Sequence, residues 1–141
     1  MATKSSFQFI DHIIRKSFFL KKDVVDMGSL KIEIKPSGIV NVSRKEFQLF
    51  LEIILSDKVE SLFINVEVIG LFKYKGKLED IRNFLLFNAP AILFPYIRAY
   101  VSSMTALSGM DTIILPTMNL SSMVDELNSK IEIVSSNKLK S

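Results

Sequence analysis

The sequence predicts an α+β fold: a four-stranded antiparallel β-sheet followed by two main α-helices packed on one of its faces. Three observations carry this. Residues 46–56 alternate strictly between apolar and mixed positions, the period of a strand with one buried face. A second alternating run, Glu60–Lys75, follows after only Asp57-Lys58-Val59, a link short enough for an antiparallel hairpin. Beyond Gly76 the apolar spacing changes to the three-and-four pattern of helices. Strands first and helices afterwards is the order of a domain whose helices are segregated to one face of its sheet.

Taken in order, Phe7–Leu20 is rich in β-forming residues and is bounded by Lys21-Lys22-Asp23, which predicts the first strand. Leu30–Val42 predicts the second, interrupted at Pro36-Ser37-Gly38, because a proline suits a strand end or an edge. In Glu46–Ser56, Phe47, Leu49, Leu51, Ile53 and Leu55 point to the core and Gln48, Phe50, Glu52, Ile54 and Ser56 point away. In Glu60–Lys75 the buried set is Leu62, Ile64, Val66, Val68, Phe72 and Tyr74. Phe63, Asn65, Glu67, Ile69, Leu71 and Lys73 face the other way, and Gly70 marks a bulge or a close backbone approach.

Leu78–Leu86 reads as a helix with Glu79 and Asp80 in its first turn, where the helix dipole favours them. Asn88-Ala89-Pro90 is expected to break it and cap a second segment, 91–107, with Leu93, Tyr96, Ile97, Tyr100, Val101, Met104 and Leu107 on one stripe. Pro95 is expected to tilt that segment and Ser108-Gly109 to stop it. Ile113–Thr117 is extended up to Pro116, and Ser121 is expected to cap a last helix carrying Met123, Val124 and Leu127. The length of 141 residues predicts one domain, 1–141, with flexible ends at about 1–6 and 135–141.

Composition excludes several kinds of chemistry. With no cysteine there is no disulfide framework, thiolate metal site or cysteine nucleophile. His12 is the single histidine, and there is no Gly-x-Ser-x-Gly elbow to pair with it. No Gly-x-x-x-x-Gly-Lys or Gly-x-Gly-x-x-Gly loop offers a phosphate cradle. The acidic pairs Glu79-Asp80 and Asp125-Glu126 fit early helix turns. An enzyme, a cofactor and a bound metal are therefore not expected. Residues 1–6 lead into no apolar run, so no secretory leader is expected. The longest nearly uncharged stretch, Phe84–Ile97, has 14 residues, short of the roughly 20 a membrane span needs. The expectation is a cytoplasmic protein without membrane insertion.

Two features ask for a partner. The net charge of +3 is concentrated in residues 1–45, which are +5 while the remainder is −2. The basic third lacks the aromatic–basic interleaving of nucleic-acid modules, so a solvated strand face is expected and nucleic acid is not. The second feature is apolar excess: 11 phenylalanines, some on both faces of the predicted strands. A sheet covered on one side needs one apolar face, so the surplus either meets another chain or lies beneath a loop. A module that binds nucleic acid would lose affinity steeply with salt. A structural protein that binds one folded partner would ignore unfolded chains.

Three separated segments resemble the SecB family of protein-export chaperones, over about residues 7–123. The first is Asn88-Ala89-Pro90-Ala91-Ile92-Leu93-Phe94-Pro95-Tyr96-Ile97-Arg98, the second Ile114-Leu115-Pro116-Thr117-Met118-Asn119-Leu120, and the third Gly70-Leu71-Phe72 at a strand end. The resemblance implies a four-stranded antiparallel sheet with two helices. It implies a homotetramer built as a dimer of dimers with the long helix at the dimer–dimer interface. It implies ATP-independent holding of non-native polypeptides in apolar grooves and their delivery to the SecA motor. Sheet alternation offers Phe50, Phe63, Ile69 and Leu71 as groove residues, with Phe18 and Phe19 nearer the amino end. Tyr96, Tyr100, Ser103 and Leu107 are the candidates for oligomer packing. Where the family carries acidic residues that dock SecA, this chain has Lys16, Leu20 and Asn65, none of them acidic. The holdase fold thus carries over better than the SecA partnership. Some relatives hold the exposed tail of an antitoxin, so a chaperone dedicated to a single client is the alternative.

Overall fold

The computed structural model describes residues 6–22, 24–116 and 120–135. Four long strands, β1 (Ser6–Lys21), β2 (Lys31–Asn41), β3 (Glu46–Ser56) and β4 (Leu62–Lys75), pair antiparallel with their neighbours. A fifth, β5 (Ile131–Val134), adds to β2 in parallel, giving the order β1-β4-β3-β2-β5. The fold class is α+β, but the sheet has five strands rather than four and is mixed. The added strand is the alternating run Ile131-Glu132-Ile133-Val134, long enough to pair only with Gly38–Asn41.

Pro36 does not interrupt β2. It sits mid-strand opposite Leu51. Gly38 N, two residues on and pointing to the same edge, donates to Lys130 O at 3.3 Å, and the pairing with β5 begins only at Gly38. The missing N–H of Pro36 therefore falls where β2 is still an edge strand.

α1 (Leu78–Leu107) is one 30-residue helix, not two segments. Asn88, Ala89 and Pro90 are inside it. An internal proline costs about 3 kcal/mol. Ala89, Leu93, Phe94 and Ile97 around the two prolines are all buried, and each fully buried large side chain contributes about 1.5–3 kcal/mol. Packing on the sheet outweighs the lost hydrogen bonds. The continuous helix is also long and apolar enough, by length and composition, to cross a membrane, which the proline-interrupted reading did not anticipate. Here 44% of its most apolar stretch is buried within the protein.

β3 and β4 supply the core. Phe47, Leu49, Leu51, Ile53 and Leu55 face α1 together with Ile64, Val66 and Val68, all of them closed to solvent. Gly70 is a close approach and not a bulge: the β3–β4 register runs through it unbroken. A Cβ there would lie 2.8 Å from Phe72 Cε2 and 3.0 Å from Leu93 Cδ2. The bulges are in β1, between Phe9 and Asp11 and between Ile14 and Lys16.

Beyond Ser108 and Gly109 (φ +83°) the chain turns back along α1. Arg98 Nε donates to Leu115 O at 2.9 Å, Ser102 Oγ donates to Ile113 O at 3.0 Å, and Ile113 N donates to the buried Thr105 Oγ1 at 2.9 Å. Ile113 and Leu115 bury against the helix. Thr117, Met118 and Asn119 lie outside the described residues, as do 1–5 and 136–141, which include most of the ends expected to be flexible. Ser121 is not a helix cap: it lies within a 3-10 turn, Leu120–Met123, that leads into α2 (Val124–Ser129), whose N-cap position is Met123.

Candidate functional site

Strand pairing sorts the side chains of the face turned away from α1 into rows. Across β1, β4, β3 and β2 these are Ile13, Ile69, Phe50, Ser37; then Lys16, Glu67, Glu52, Lys35; then Phe18, Asn65, Ile54, Glu33; then Leu20, Phe63, Ser56, Lys31. The face therefore consists of apolar ground on either side of a charged belt. On one side lie Ile13, Ile69 and Leu71, joined by Ile10. On the other lie Phe18, Leu20 and Phe63. Phe18 and Phe63 meet edge to face, 5.8 Å between centroids, and remain 48% and 38% exposed.

Two ion pairs run across the belt, with Lys35 at its end. Lys16 Nζ is 3.8 Å from Glu52 Oε2, and Asn65 Nδ2 donates to the same oxygen at 3.2 Å. Arg15 pairs with Glu67, and its guanidinium carbon sits 5.1 Å above the Phe50 ring. Arg15 and Lys16 are consecutive, so plain alternation would send them to opposite faces. The bulge between Ile14 and Lys16 lets both reach this one.

Of the six groove candidates, five share this outer face: Phe18, Phe50, Phe63, Ile69 and Leu71. Phe50 is only 9% exposed, covered in part by Arg15. Phe19 is on the opposite face, paired with Ile64 and packed against the core. Lys16, Leu20 and Asn65, at the positions of the family's acidic residues, all lie on the outer face, Asn65 nearly closed to solvent.

The second surface is the outside of α1. Phe84, Phe87, Ala91, Pro95, Ala99, Ser103 and Leu107 are exposed along it, with no charged residue among them. Tyr96 stacks on His12 at 4.2 Å and leans on Phe9 at 5.5 Å. One turn on, the Tyr100 hydroxyl donates to Ser17 Oγ at 2.7 Å. Tyr100, Ser103 and Leu107 then line one hollow of about 430 Å³ with Phe19, Met104 and Ser108. The four oligomer candidates are thus contiguous, and Phe19 belongs with them.

Sequence reasoning missed Ile10, Ile13 and Arg15 on the outer face and Phe84 and Phe87 on the helix. A signal for the first three exists: the core-facing positions of β1 run Phe7, Phe9, then Ile14, then Phe19, odd to even to odd, and each change of phase marks a bulge.

Among the described residues two titratable groups depart from their ordinary behaviour, both for structural reasons. Burial tends to raise the Asp57 carboxyl, but the N–H groups of Asp26, Leu62 and Ser61 donate to it at 3.0, 3.0 and 2.8 Å and hold it below its ordinary 3.8. Burial of Tyr74 pushes its hydroxyl up. Among the described residues no group of three His, Asp or Glu side chains is placed to hold a metal ion.

The family model described as Preprotein translocase subunit SecB matches residues 26–130. An uncharacterized protein of Methanocaldococcus jannaschii is 26% identical over 130 residues, covering 86% of this chain and 84% of the relative. The protein-export protein SecB of Anaplasma marginale is 24% identical over 104 residues, covering 70% of this chain and 59% of that protein's length. Among solved structures, a Mycobacterium tuberculosis SecB-like chaperone in complex with a ChAD peptide from an antitoxin superposes with a TM-score of 0.69 at 17% identity, over 80% of this chain and 90% of that one.

Proposed function

The chain belongs to the SecB family, and on that premise we propose that it is a non-enzymatic, ATP-independent holdase that binds non-native polypeptides through apolar ground on its sheet. The observation that carries this is the outer sheet face, where Phe18, Leu20 and Phe63 on one side of the charged belt and Ile13, Ile69 and Leu71 on the other have no covering helix among the described residues. Such a surface needs no catalytic group. Each client side chain it covers contributes on the order of 25 cal/mol per Å² of apolar area removed from water. Several weak seats on one assembly raise the effective concentration of the next. The central ion-pair belt keeps the face wettable between clients.

The whole of residues 1–141 acts as one domain in this reading, assembled into a homotetramer, a dimer of dimers, in the cytoplasm. Tyr96, Tyr100, Ser103 and Leu107 pack copies together. Phe18, Phe50, Phe63, Ile69 and Leu71 serve clients, and Phe19 serves the boundary between the two surfaces. Clients are export substrates of the Sec pathway.

Delivery to SecA is the weakest part of the analogy, since Lys16 and Leu20 offer no carboxylate and Asn65 is turned into the Glu52 network. That favours a second reading, a chaperone dedicated to one client such as an antitoxin. The structural neighbour bound to an antitoxin peptide supports it.

Light scattering of an unfolded, aggregation-prone protein diluted into buffer without ATP tests the proposal. Suppression near one assembly per client, insensitive to moderate salt, is expected. No suppression at several-fold excess rejects the general holdase and leaves the dedicated client.

A further inference from the structure

One end of the outer face places an excess of positive charge beside an apolar notch: Arg44, Lys45, Lys73 and Lys75 against Glu46 and Asp11. Ile10, Phe47, Leu71 and Phe72 line the notch, about 190 Å³, with Gln48 and Lys73 in its wall. That is room for one side chain, some six times the ~30 Å³ a water molecule occupies. Gln48 Oε1 is buried and has no hydrogen-bond partner.

The charge follows from the strand. Along the outer face β4 reads Ile69, Leu71, Lys73, Lys75, apolar and then cationic. Lys73 and Lys75 are exposed and form no ion pair among the described residues. Glu46, also at the notch, is engaged by Arg44 at 3.3 Å. Lys45 Nζ is held at Gly76 O, 2.9 Å, which adds a further cation to this end. Asp11, opposite Leu71, accepts from the His12 backbone N–H at 2.8 Å.

We propose that this end of the sheet selects acidic clients: an extended polypeptide segment seats one apolar side chain in the notch and lays the carboxylates that follow against Lys73 and Lys75. This rests on the polypeptide-binding reading above and deepens it by naming the client chemistry. Same-face positions on a strand repeat every ~6.6–6.8 Å, the spacing at which an extended peptide presents alternate side chains. A nucleic acid would satisfy the lysines but leave the apolar notch empty.

Two fluorescent peptides with the same leucine core, one flanked by glutamates and one by lysines, are compared by anisotropy. The same preparation is assayed for suppression of client aggregation. The acidic peptide is expected to bind about tenfold more tightly at low salt, two rim lysines each contributing modestly, and the gap should close as salt rises. Lys73→Glu with Lys75→Glu should invert the order and leave the thermal midpoint unchanged. Ile10→Ser should weaken both peptides alike. Equal affinities, or a preference for the basic peptide, in a preparation that does suppress aggregation overturn the selectivity and leave the holdase standing. A preparation that suppresses nothing and binds neither peptide overturns both. Displacement of the acidic peptide by a single-stranded polynucleotide, but not by an unlabelled unfolded chain, overturns the peptide assignment in favour of nucleic acid.

Discussion

Gly70→Ala tests how closely α1 sits on the sheet. The new Cβ would lie 2.8 Å from Phe72 Cε2 and 3.0 and 3.1 Å from the two Leu93 methyls. Neither neighbour can easily yield. Phe72 is 1% exposed and wedged among Phe7, Phe9 and Phe47, with centroids 4.8, 5.3 and 5.9 Å away. Leu93 is fully buried on a helix already carrying two prolines. Overpacking of this kind costs about 1–3 kcal/mol. Alanine recovers about 0.5–1 kcal/mol by restricting the unfolded chain. The net expectation is a loss of about 1 kcal/mol, the difference of the mid-points of those two ranges. Leu93→Ala alone should cost about 2–5 kcal/mol through its cavity. In the double variant the new methyl occupies space that Leu93 vacated, so the two losses should fall short of additivity by about 1–2 kcal/mol. Urea midpoints at constant m-value and fixed protein concentration measure all three. Gly70→Ala at or above wild-type stability, or additivity within ~0.5 kcal/mol, refutes the argument that the glycine is there to let the helix down onto the sheet.

Thr105→Val keeps the shape but strips Ile113 N–H of its acceptor, and should cost about 1–3 kcal/mol with the largest fall in hydrogen-exchange protection at the Ile113 amide. Asp57 titrates lower in the folded protein than in the unfolded chain, so its contribution is present above about 3.8 and disappears as pH falls toward the folded value. Acid titration followed by circular dichroism should show wild type losing stability below pH 4 more steeply than Asp57→Asn, which keeps an acceptor oxygen but cannot titrate. Leu107 is 88% exposed, so Leu107→Asp should leave the protomer folded while lowering the mass seen by light scattering after size exclusion. An unchanged mass would remove the end of α1 from the proposed oligomer contact.

The central hairpin was legible apart from one strand start. β3 spans the residues its alternation predicts, and β4 starts two residues later than expected because Glu60, at φ 58°, belongs to the turn organised by Asp57. Helix continuity was not legible, because a local proline rule cannot see the sheet burying Ala89, Leu93 and Ile97. β5 was in plain view as Ile131-Glu132-Ile133-Val134, but four residues alternate by chance too readily to be read as a strand without knowing that the edge of β2 lies waiting. For the site, alternation gave the correct face for Phe50, Phe63, Ile69 and Leu71, since β3 and β4 pair without a slip. It placed Phe18 and Phe19 together because the two bulges in β1 hide which of a neighbouring pair points where.

Those bulges also bear on why an exposed apolar face can persist on this protein. β1 is an edge strand of 16 residues in the protomer, the kind of edge that invites uncontrolled pairing. Each bulge breaks its regular hydrogen-bonding rhythm, and the second brings Arg15 beside Lys16 onto the outer face. The cations do not accumulate there as free charge: Glu67 and Glu52 on the neighbouring strands take them up, and the guanidinium of Arg15 is left over Phe50. The row Lys16, Glu67, Glu52, Lys35 thereby divides the apolar ground into two patches, while leaving both within reach of one extended chain that crosses the belt. That division is what the proposed flexible client would meet: two apolar seats in sequence, with a charged row between them.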